Sequence, residues 1–292
     1  MKAAAFAYAR ATSVEEALVL LATHGETAKI LSGGQSLMPA MNLRLISPEM
    51  VIDIGGIAEL RGVALERDIL RIGALTRHVD LQHSPEIAKH APLLADAVAH
   101  VAHPAIRNRG TIGGSLAHAD PAAELPACML ALDAAMVVRS KDGERRFAAI
   151  DFFRGIFQTA LSADDLLIAI ELPLRRGAAS HFFREFSRRH GDYAIAGLAA
   201  QAVVESDTIK ELRVAFFAVG DRPVLAGSAD RLVNATVTST LLSDVCASMG
   251  EELDPQDDQQ ASATMRRHLA RVLLRRCIAT LLDRPELDGA ST

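Results

Sequence analysis

The opening of the chain alternates between helical and strand periodicity. Ser13-Val14-Glu15-Glu16 has the form of a capping box, in which the Ser13 hydroxyl and the Glu16 carboxylate satisfy each other's N–H groups. Val14, Ala17, Leu18 and Leu21 then recur on one helical face, and Gly25 ends the helix. Short apolar runs at residues 28–31, 50–54 and 69–73 read as buried strands, which makes the opening an alternating α/β pattern. Residues 1–10 read as a further strand and not as a signal peptide, because Arg10 breaks a short apolar stretch that runs straight into the helix start.

Residues 76–108 turn helical, with Leu93, Leu94, Ala97, Val98 and Val101 on one side after Pro92. Residues 135–139 and 145–149 flank Asp142-Gly143 as a hairpin, and residues 165–172 form an apolar strand stopped by Pro173. The small and polar run from Arg175 to Ser180 marks the domain boundary. Residues 181–187, 193–204 and 212–219 follow as a strand-rich group, and residues 229–249 and 262–282 as two helical stretches. On the last, Met265, Leu269, Val272, Leu273 and Ile278 form an apolar stripe against a charged face of Arg266, Arg267, Arg271 and Arg275, either solvated or open to an acidic partner.

Composition narrows the classes. With 292 residues, 50% of them hydrophobic and 23% charged, the chain has the mix of a globular protein of about two domains. A net charge of −5 argues against nucleic acid as the main partner. The three cysteines, Cys128, Cys246 and Cys277, are too few and too far apart for a disulfide framework or a four-cysteine iron–sulfur cluster, so a reducing cytoplasm is expected. The longest charge-free apolar run, residues 193–204, is too short for a transmembrane segment, and a soluble protein is expected. Six of the ten histidines lie between His78 and His118, but no carboxylate stands at ligand spacing from His100 and His103 before Pro104, so no metal site is expected.

The candidate chemistry lies in two glycine pairs. Ser32-Gly33-Gly34-Gln35-Ser36 leaves a strand, and Gly-Gly there either makes a tight turn through positive φ or brings backbone N–H groups up to an anion beside the hydroxyls of Ser32 and Ser36. Thr111-Ile112-Gly113-Gly114-Ser115 repeats the pattern, and two such turns suit opposite ends of one long, doubly charged ligand, a dinucleotide. Neither fits G-x-G-x-x-G or the P-loop, which excludes an ordinary Rossmann or P-loop protein. Asp120 and Glu124 are spaced to share a helix face toward a ligand; alternatively Asp120 is an N-cap with Pro121 at the first helical position.

Leu31 to Pro39, Asn42-Leu43-Arg44, Asp53-Ile54, Ile106 to Ser115 and Asp192-Tyr193-Ala194 together resemble the FAD-binding medium subunit of the molybdenum hydroxylases, over nearly the whole chain and in order. This is the family of the carbon monoxide dehydrogenase medium chain and the xanthine dehydrogenase flavin domain. The resemblance implies an α+β, vanillyl-alcohol-oxidase-type FAD-binding fold. Two subdomains (about 1–55 and 56–177) would hold FAD between them, and a smaller C-terminal domain (178–292) would be built on a three-stranded antiparallel sheet and helices. It implies that Ser32, Gly33, Gly34, Gln35 and Ser36 hold the pyrophosphate, that Thr111, Ile112, Gly113, Gly114 and Ser115 approach the flavin end, and that Asp120, Glu124, Leu167 and Arg184 make further FAD contacts. Ser115 stands where many relatives have Asn, and Arg184 where Lys is frequent; both keep a hydrogen-bonding group.

The same resemblance implies an electron-transfer subunit with no catalytic side chain of its own. Its partners would be a small subunit carrying 2Fe-2S clusters and a large molybdopterin-binding subunit, in a heterotrimer or a dimer of heterotrimers. Two other expectations remain open at this point: a self-contained FAD-dependent oxidase or dehydrogenase, and a flavin-free assembly protein with the same fold.

Overall fold

A computed structural model describes residues 2–174 and 179–288. The boundary expected from Arg175 to Ser180 therefore falls mainly on positions 175–178, outside the described residues.

The first unit comprises β1 (Ala7–Arg10), α1 (Val14–His24), β2 (Ala28–Leu31), α2 (Leu37–Asn42) and β3 (Met50–Asp53). Its three strands are parallel in the order β1-β3-β2, with Arg10 and Leu31 both level with Asp53 at their carboxyl ends. Helix α1 buries Val14, Ala17, Leu18 and Leu21 and stops at Gly25 with φ 51°. Only half of the expected capping box forms. Ser13 Oγ accepts from the Glu16 N–H at 3.1 Å, but the Glu16 carboxylate accepts from Thr12 N at 2.7 Å and Thr12 Oγ1 at 2.8 Å, one residue upstream.

The second unit is built on β4 (Val63–Glu66), β5 (Ile69–Gly73), α3 (His78–His83), α4 (Pro85–His90), α5 (Pro92–His100), α6 (Pro104–Arg107), α7 (Ile112–His118), α8 (Glu124–Ala131), β6 (Ala135–Ser140), β7 (Gly143–Ala148), α9 (Ala149–Phe152), β8 (Phe153–Gly155), β9 (Gln158–Thr159) and β10 (Leu166–Pro173). Its main sheet is antiparallel in the order β4-β5-β10-β6-β7. The 76–108 stretch is four short helices, because Pro85, Pro92 and Pro104 each lack an N–H to continue a helix and each starts a new one instead. The second glycine pair is not a turn: Gly113 and Gly114 lie in the first turn of α7, capped by Thr111, whose Oγ1 accepts from Gly114 N at 3.1 Å. Asp120 neither caps α8 nor shares a helix with Glu124, since Ala123 is the N-cap and Asp120 Oδ1 closes a local turn onto Ala122 N at 2.9 Å.

The C-terminal unit carries the antiparallel sheet β11 (Ala179–Phe186), β12 (Ala196–Glu205), β13 (Thr208–Phe217) and β14 (Val224–Leu225), in that order, so a two-residue fourth strand extends the three long ones. Helices α10 (Ser239–Glu252) and α11 (Ala263–Leu281) cover one face with Leu242, Val245, Met249, Leu273, Leu274 and Ile278. The other face meets α8, and Phe183, Ala199, Ala215 and Phe217 join α5, α8 and β10 in one continuous core. The two units are thereby welded by apolar burial. The helix expected over residues 229–249 begins only at Ser239, behind the Thr238 cap; residues 227–232 form a 3₁₀ helix. Among the described residues no helix is long and apolar enough to cross a membrane.

The charged face of α11 also departs from expectation. Met265 is 49% exposed whereas Arg266 is 6% exposed. The Arg266 guanidinium donates to Ile195 O at 2.6 Å, Ala218 O at 2.9 Å and Asp258 Oδ2 at 2.6 Å. It pins the end of the 187–195 turn and the loop before α11 to one point. Arg271 and Arg275 donate to Cys246 O and Ser243 Oγ on α10, so they serve the helix pair. Replacing Arg266 by Leu strips two carbonyls of their donor and is expected to destabilise the protein by about 2–4 kcal/mol, read as a shift of the urea midpoint. A loss below about 0.5 kcal/mol, the range of ordinary surface substitutions, would contradict that role.

Candidate functional site

Three parallel strands end together, and the residues at and just beyond those ends build one cleft: Arg10 closes β1, Ser32-Gly33-Gly34 leaves β2, and Asp53 closes β3. The carboxyl ends of parallel strands are where open α/β sheets receive ligands. Gly34 turns the chain with φ +73°, and α2 starts directly after Ser36. Among the described residues, the N–H groups of Gly33, Gly34, Gln35 and Ser36 donate to no protein acceptor; the turn is spanned instead by the Gln35 side chain donating to Gly33 O at 2.9 Å and by Met38 N donating to Gly34 O at 3.2 Å. Four successive bare amides, half-buried from Gly33 to Gln35 and exposed at Ser36, are a nest for an anion. Asp53 does not oppose it freely, since its carboxylate accepts from Tyr8 OH at 2.6 Å and Gly55 N at 2.7 Å.

The second glycine pair lies against the first, which corrects the expectation of turns at opposite ends of a ligand. Thr111 Oγ1 donates to Ser32 Oγ at 3.2 Å. A Cβ on Gly33 would run into the carbonyl oxygen of Arg109, and one on Gly114 would lie 2.6 Å from Ser32 Oγ. The missing side chains let the two segments touch. Four amides here are engaged: Ile112 N to Thr76 O, Gly113 N to Ala74 O, Gly114 N to Thr111 Oγ1 and Ser115 N to Thr111 O. The first segment presents donors, and the second holds it in place.

The cleft measures about 990 Å³, at the upper end of the range for small-molecule and cofactor sites. Leu31, Leu75 and Ile106 give it apolar wall, and Asn42 and Asn108 give it polar edge. Of the residues singled out from sequence, Ser32, Gly33, Gly34, Gln35 and Thr111 line it, while Ser36 stands at the N-cap position of the adjoining α2. Ile112, Gly113, Gly114 and Ser115 run behind it on α7. Asp120, Glu124, Leu167 and Arg184 are not among its walls. Leu167 is buried in the core opposite Val138, and Arg184 is exposed on β11 opposite Leu198. Tyr193 is exposed on the turn between β11 and β12. Desolvation, with the charges of Glu185 and Asp120 acting in the same direction, pushes the Glu124 carboxyl up to about 8, so near neutral pH it carries a proton and can donate. Its neighbour Glu185 is buried, with His100 Nδ1 at 3.5 Å.

Sequence reasoning missed the cations. Arg10, Arg61, Arg77 and Arg109 all line the cleft from four separate segments. Arg109 stands inside the Ile106-to-Ser115 motif, but no local motif marks Arg10, Arg61 or Arg77, and the bridge pairing Arg77 with Thr111 comes only from the fold.

Bare amides at the carboxyl ends of a parallel sheet, above a cleft of this size, define a protein that holds a phosphate-bearing cofactor. Comparison with known proteins names the family. Residues 4–175 match the FAD binding domain in molybdopterin dehydrogenase, and residues 181–281 match the CO dehydrogenase flavoprotein C-terminal domain. The chain is 39% identical to caffeine dehydrogenase subunit beta of Pseudomonas sp. (strain CBB1), and 38% identical to the 6-hydroxypseudooxynicotine dehydrogenase complex subunit alpha of Paenarthrobacter nicotinovorans, with 97% of each chain covered in both cases. The carbon monoxide dehydrogenase structure from Hydrogenophaga pseudoflava superposes with a TM-score of 0.95 at 33% identity, covering 97% of this chain and 99% of that one. The chain belongs to the FAD-binding medium-subunit family of the molybdenum hydroxylases, as its motifs implied. It is thus an FAD-binding oxidoreductase subunit with this family's two-part fold.

One titratable group lies under the contact between the two glycine segments. His78 donates its backbone N–H to Gly110 O at 2.9 Å, and its ring is 4% exposed with neither nitrogen in a geometrically sound hydrogen bond. Burial above all holds the ring down at about 4; the Arg107 charge adds to this and a Thr111 backbone group opposes it. The folded ring is neutral where the unfolded one begins to take a proton, so stability is lost as pH falls from about 6.5 through about 4, by roughly 3 kcal/mol in all. His78→Leu is expected to remove that part of the acid dependence of the urea midpoint. An unchanged acid dependence would contradict the assignment.

Proposed function

We propose that this chain carries FAD in the cleft above the first glycine segment and passes electrons from the iron–sulfur clusters of a partner subunit to an external acceptor. The observation that carries the proposal is the run of unbonded amides from Gly33 to Ser36, whereas in the neighbouring segment the amides from Ile112 to Ser115 are bonded. Bound there, FAD supplies one- and two-electron redox chemistry that no protein side chain offers. The chain's own part is to bind and orient. Gly33, Gly34, Gln35 and Ser36 give N–H donors to the diphosphate, and Ser32, whose oxygen accepts from Thr111, turns its own hydroxyl hydrogen toward the cleft. Ile112, Gly113, Gly114 and Ser115 support that loop from behind and offer the Ser115 hydroxyl, while Glu124, Asp120, Leu167 and Arg184 shape the more distant flavin end.

In this proposal residues 1–177 form the cofactor domain, with subdomains near 1–55 and 56–177, and residues 178–292 form the C-terminal domain. Relatives bear names of complex subunits, such as the alpha subunit of the 6-hydroxypseudooxynicotine dehydrogenase complex. The assembly proposed here joins the chain to a small 2Fe-2S subunit and a large molybdopterin-binding subunit, in a heterotrimer or a dimer of heterotrimers. Cys128, Cys246 and Cys277 are free and buried, which suits the reducing cytoplasm as its compartment.

The protein, purified with its partners, is expected to be yellow and to release FAD on denaturation. In Gly33→Val the new side chain meets the Arg109 carbonyl, the two segments part, and most of the flavin is lost while circular dichroism stays that of a folded protein. Full flavin content in that variant would contradict the cradle.

A further inference from the structure

The chain is acidic overall, with a net charge of −5, yet the cleft concentrates the opposite sign: four guanidinium groups, from Arg10, Arg61, Arg77 and Arg109, line it against one carboxylate, Asp53. Several arginines elsewhere are consumed by the fold. Arg71 and Arg146 clasp Glu171, Arg145 meets Asp165, Arg213 meets Asp133 and Arg266 meets Asp258. Arg10, Arg77 and Arg109 make no ion pair among the described residues, and Arg61 donates to Gly55 O at 2.6 Å. Asp53 is already engaged by Tyr8 and Gly55, so it does not neutralise them at close range. Unpaired cations that line the same cleft as a run of bare amides suit a phosphorylated ligand. Guanidinium groups match phosphate oxygens by paired N–H donors as well as by charge.

We infer that Arg10, Arg77 and Arg109 form a cationic collar that binds the cofactor's diphosphate together with the amides of Gly33 to Ser36, so that the adenylate-diphosphate half sets this chain's affinity for FAD. The inference rests on the FAD assignment above and adds to it which half of the cofactor is recognised and by which side chains. Amides alone form a dipolar site little affected by salt. Exposed guanidinium groups interact through solvent, where the screening length falls from about 10 Å at 0.1 M salt to about 3 Å at 1 M. Ionic strength therefore separates the two contributions.

The test uses the flavin-stripped full-length protein, assembled with its partner subunits where they copurify, titrated with FAD and followed by flavin fluorescence. Raising KCl from about 0.05 to about 0.5 M is expected to weaken FAD binding about tenfold. The double variant Arg77→Gln, Arg109→Gln is expected to bind FAD about 10–100-fold more weakly at low salt and with a flattened salt response, whereas Arg109→Lys keeps the salt response. ADP should displace FAD and riboflavin should not. If the double variant fails to fold, the wild-type salt titration and the ADP–riboflavin competition decide on their own. An affinity for FAD unmoved by salt and by substitution, or competition by riboflavin as strong as by ADP, overturns the collar and leaves the FAD assignment standing. A wild-type protein that takes up no FAD at any ionic strength overturns both.

Discussion

The architecture of the site depends on one steric constraint: two backbone segments, from units with different sheets, must approach more closely than any side chain allows. The Ser32-Gly33 backbone and the Arg109-to-Gly114 backbone touch where Cβ atoms would collide, and Thr111 bonds Ser32 across the contact. Because Thr111 also caps α7 through Gly114 N, the contact is tied to a helix whose remaining amides bond Thr76 and Ala74. The β2 loop is thus supported from behind while its own N–H groups point elsewhere. A buried amide left unbonded costs free energy, and these four avoid that cost by lining an open cleft where water or a ligand can meet them.

This arrangement divides labour among the three units. The parallel strands bring three carboxyl ends to one edge, the antiparallel unit contributes the buttress with Arg77 and Arg109, and the C-terminal sheet closes over α8 through a shared apolar core. Arg266 then fixes the end of the turn that carries Tyr193 by bonding Ile195 O, using a buried guanidinium where a hydrophobic side chain would leave two carbonyls unpaired. Charge is divided in a similar way. Arg71, Arg145 and Arg146 meet carboxylates and hold the antiparallel sheet together, while Arg10, Arg77 and Arg109 make no ion pair among the described residues and line the cleft.

Much of this was legible in the sequence where the signal is local. Strands β2, β3 and β5, helix α1 with its Ser13 cap and Gly25 stop, and the β6–β7 hairpin follow from periodicity and from glycine at positions needing it. Motif order gave the family. Features set by tertiary contact were not legible. The helical tract over 76–108 broke because three prolines each outweighed the apolar pattern, and Arg266 left the solvated face because distant carbonyls needed a donor. Gly113 and Gly114 look like a second turn in sequence, yet they are helical because Thr111 caps them. The arginines of the cleft stand on four segments that only folding joins, so apart from Arg109, inside the Ile106-to-Ser115 motif, no spacing marks them.

The central claim is that the first glycine segment, and not the second, gives its main-chain N–H groups to the cofactor. Amide proton and nitrogen chemical shifts of the protein with and without FAD measure this directly. The account predicts large downfield proton shifts and slowed exchange at Gly33, Gly34, Gln35 and Ser36, with Gly113 and Gly114 nearly unmoved because their amides already bond Ala74 O and Thr111 Oγ1. The reverse pattern, with Gly113 and Gly114 shifted and the amides of residues 33–36 unchanged, would contradict it.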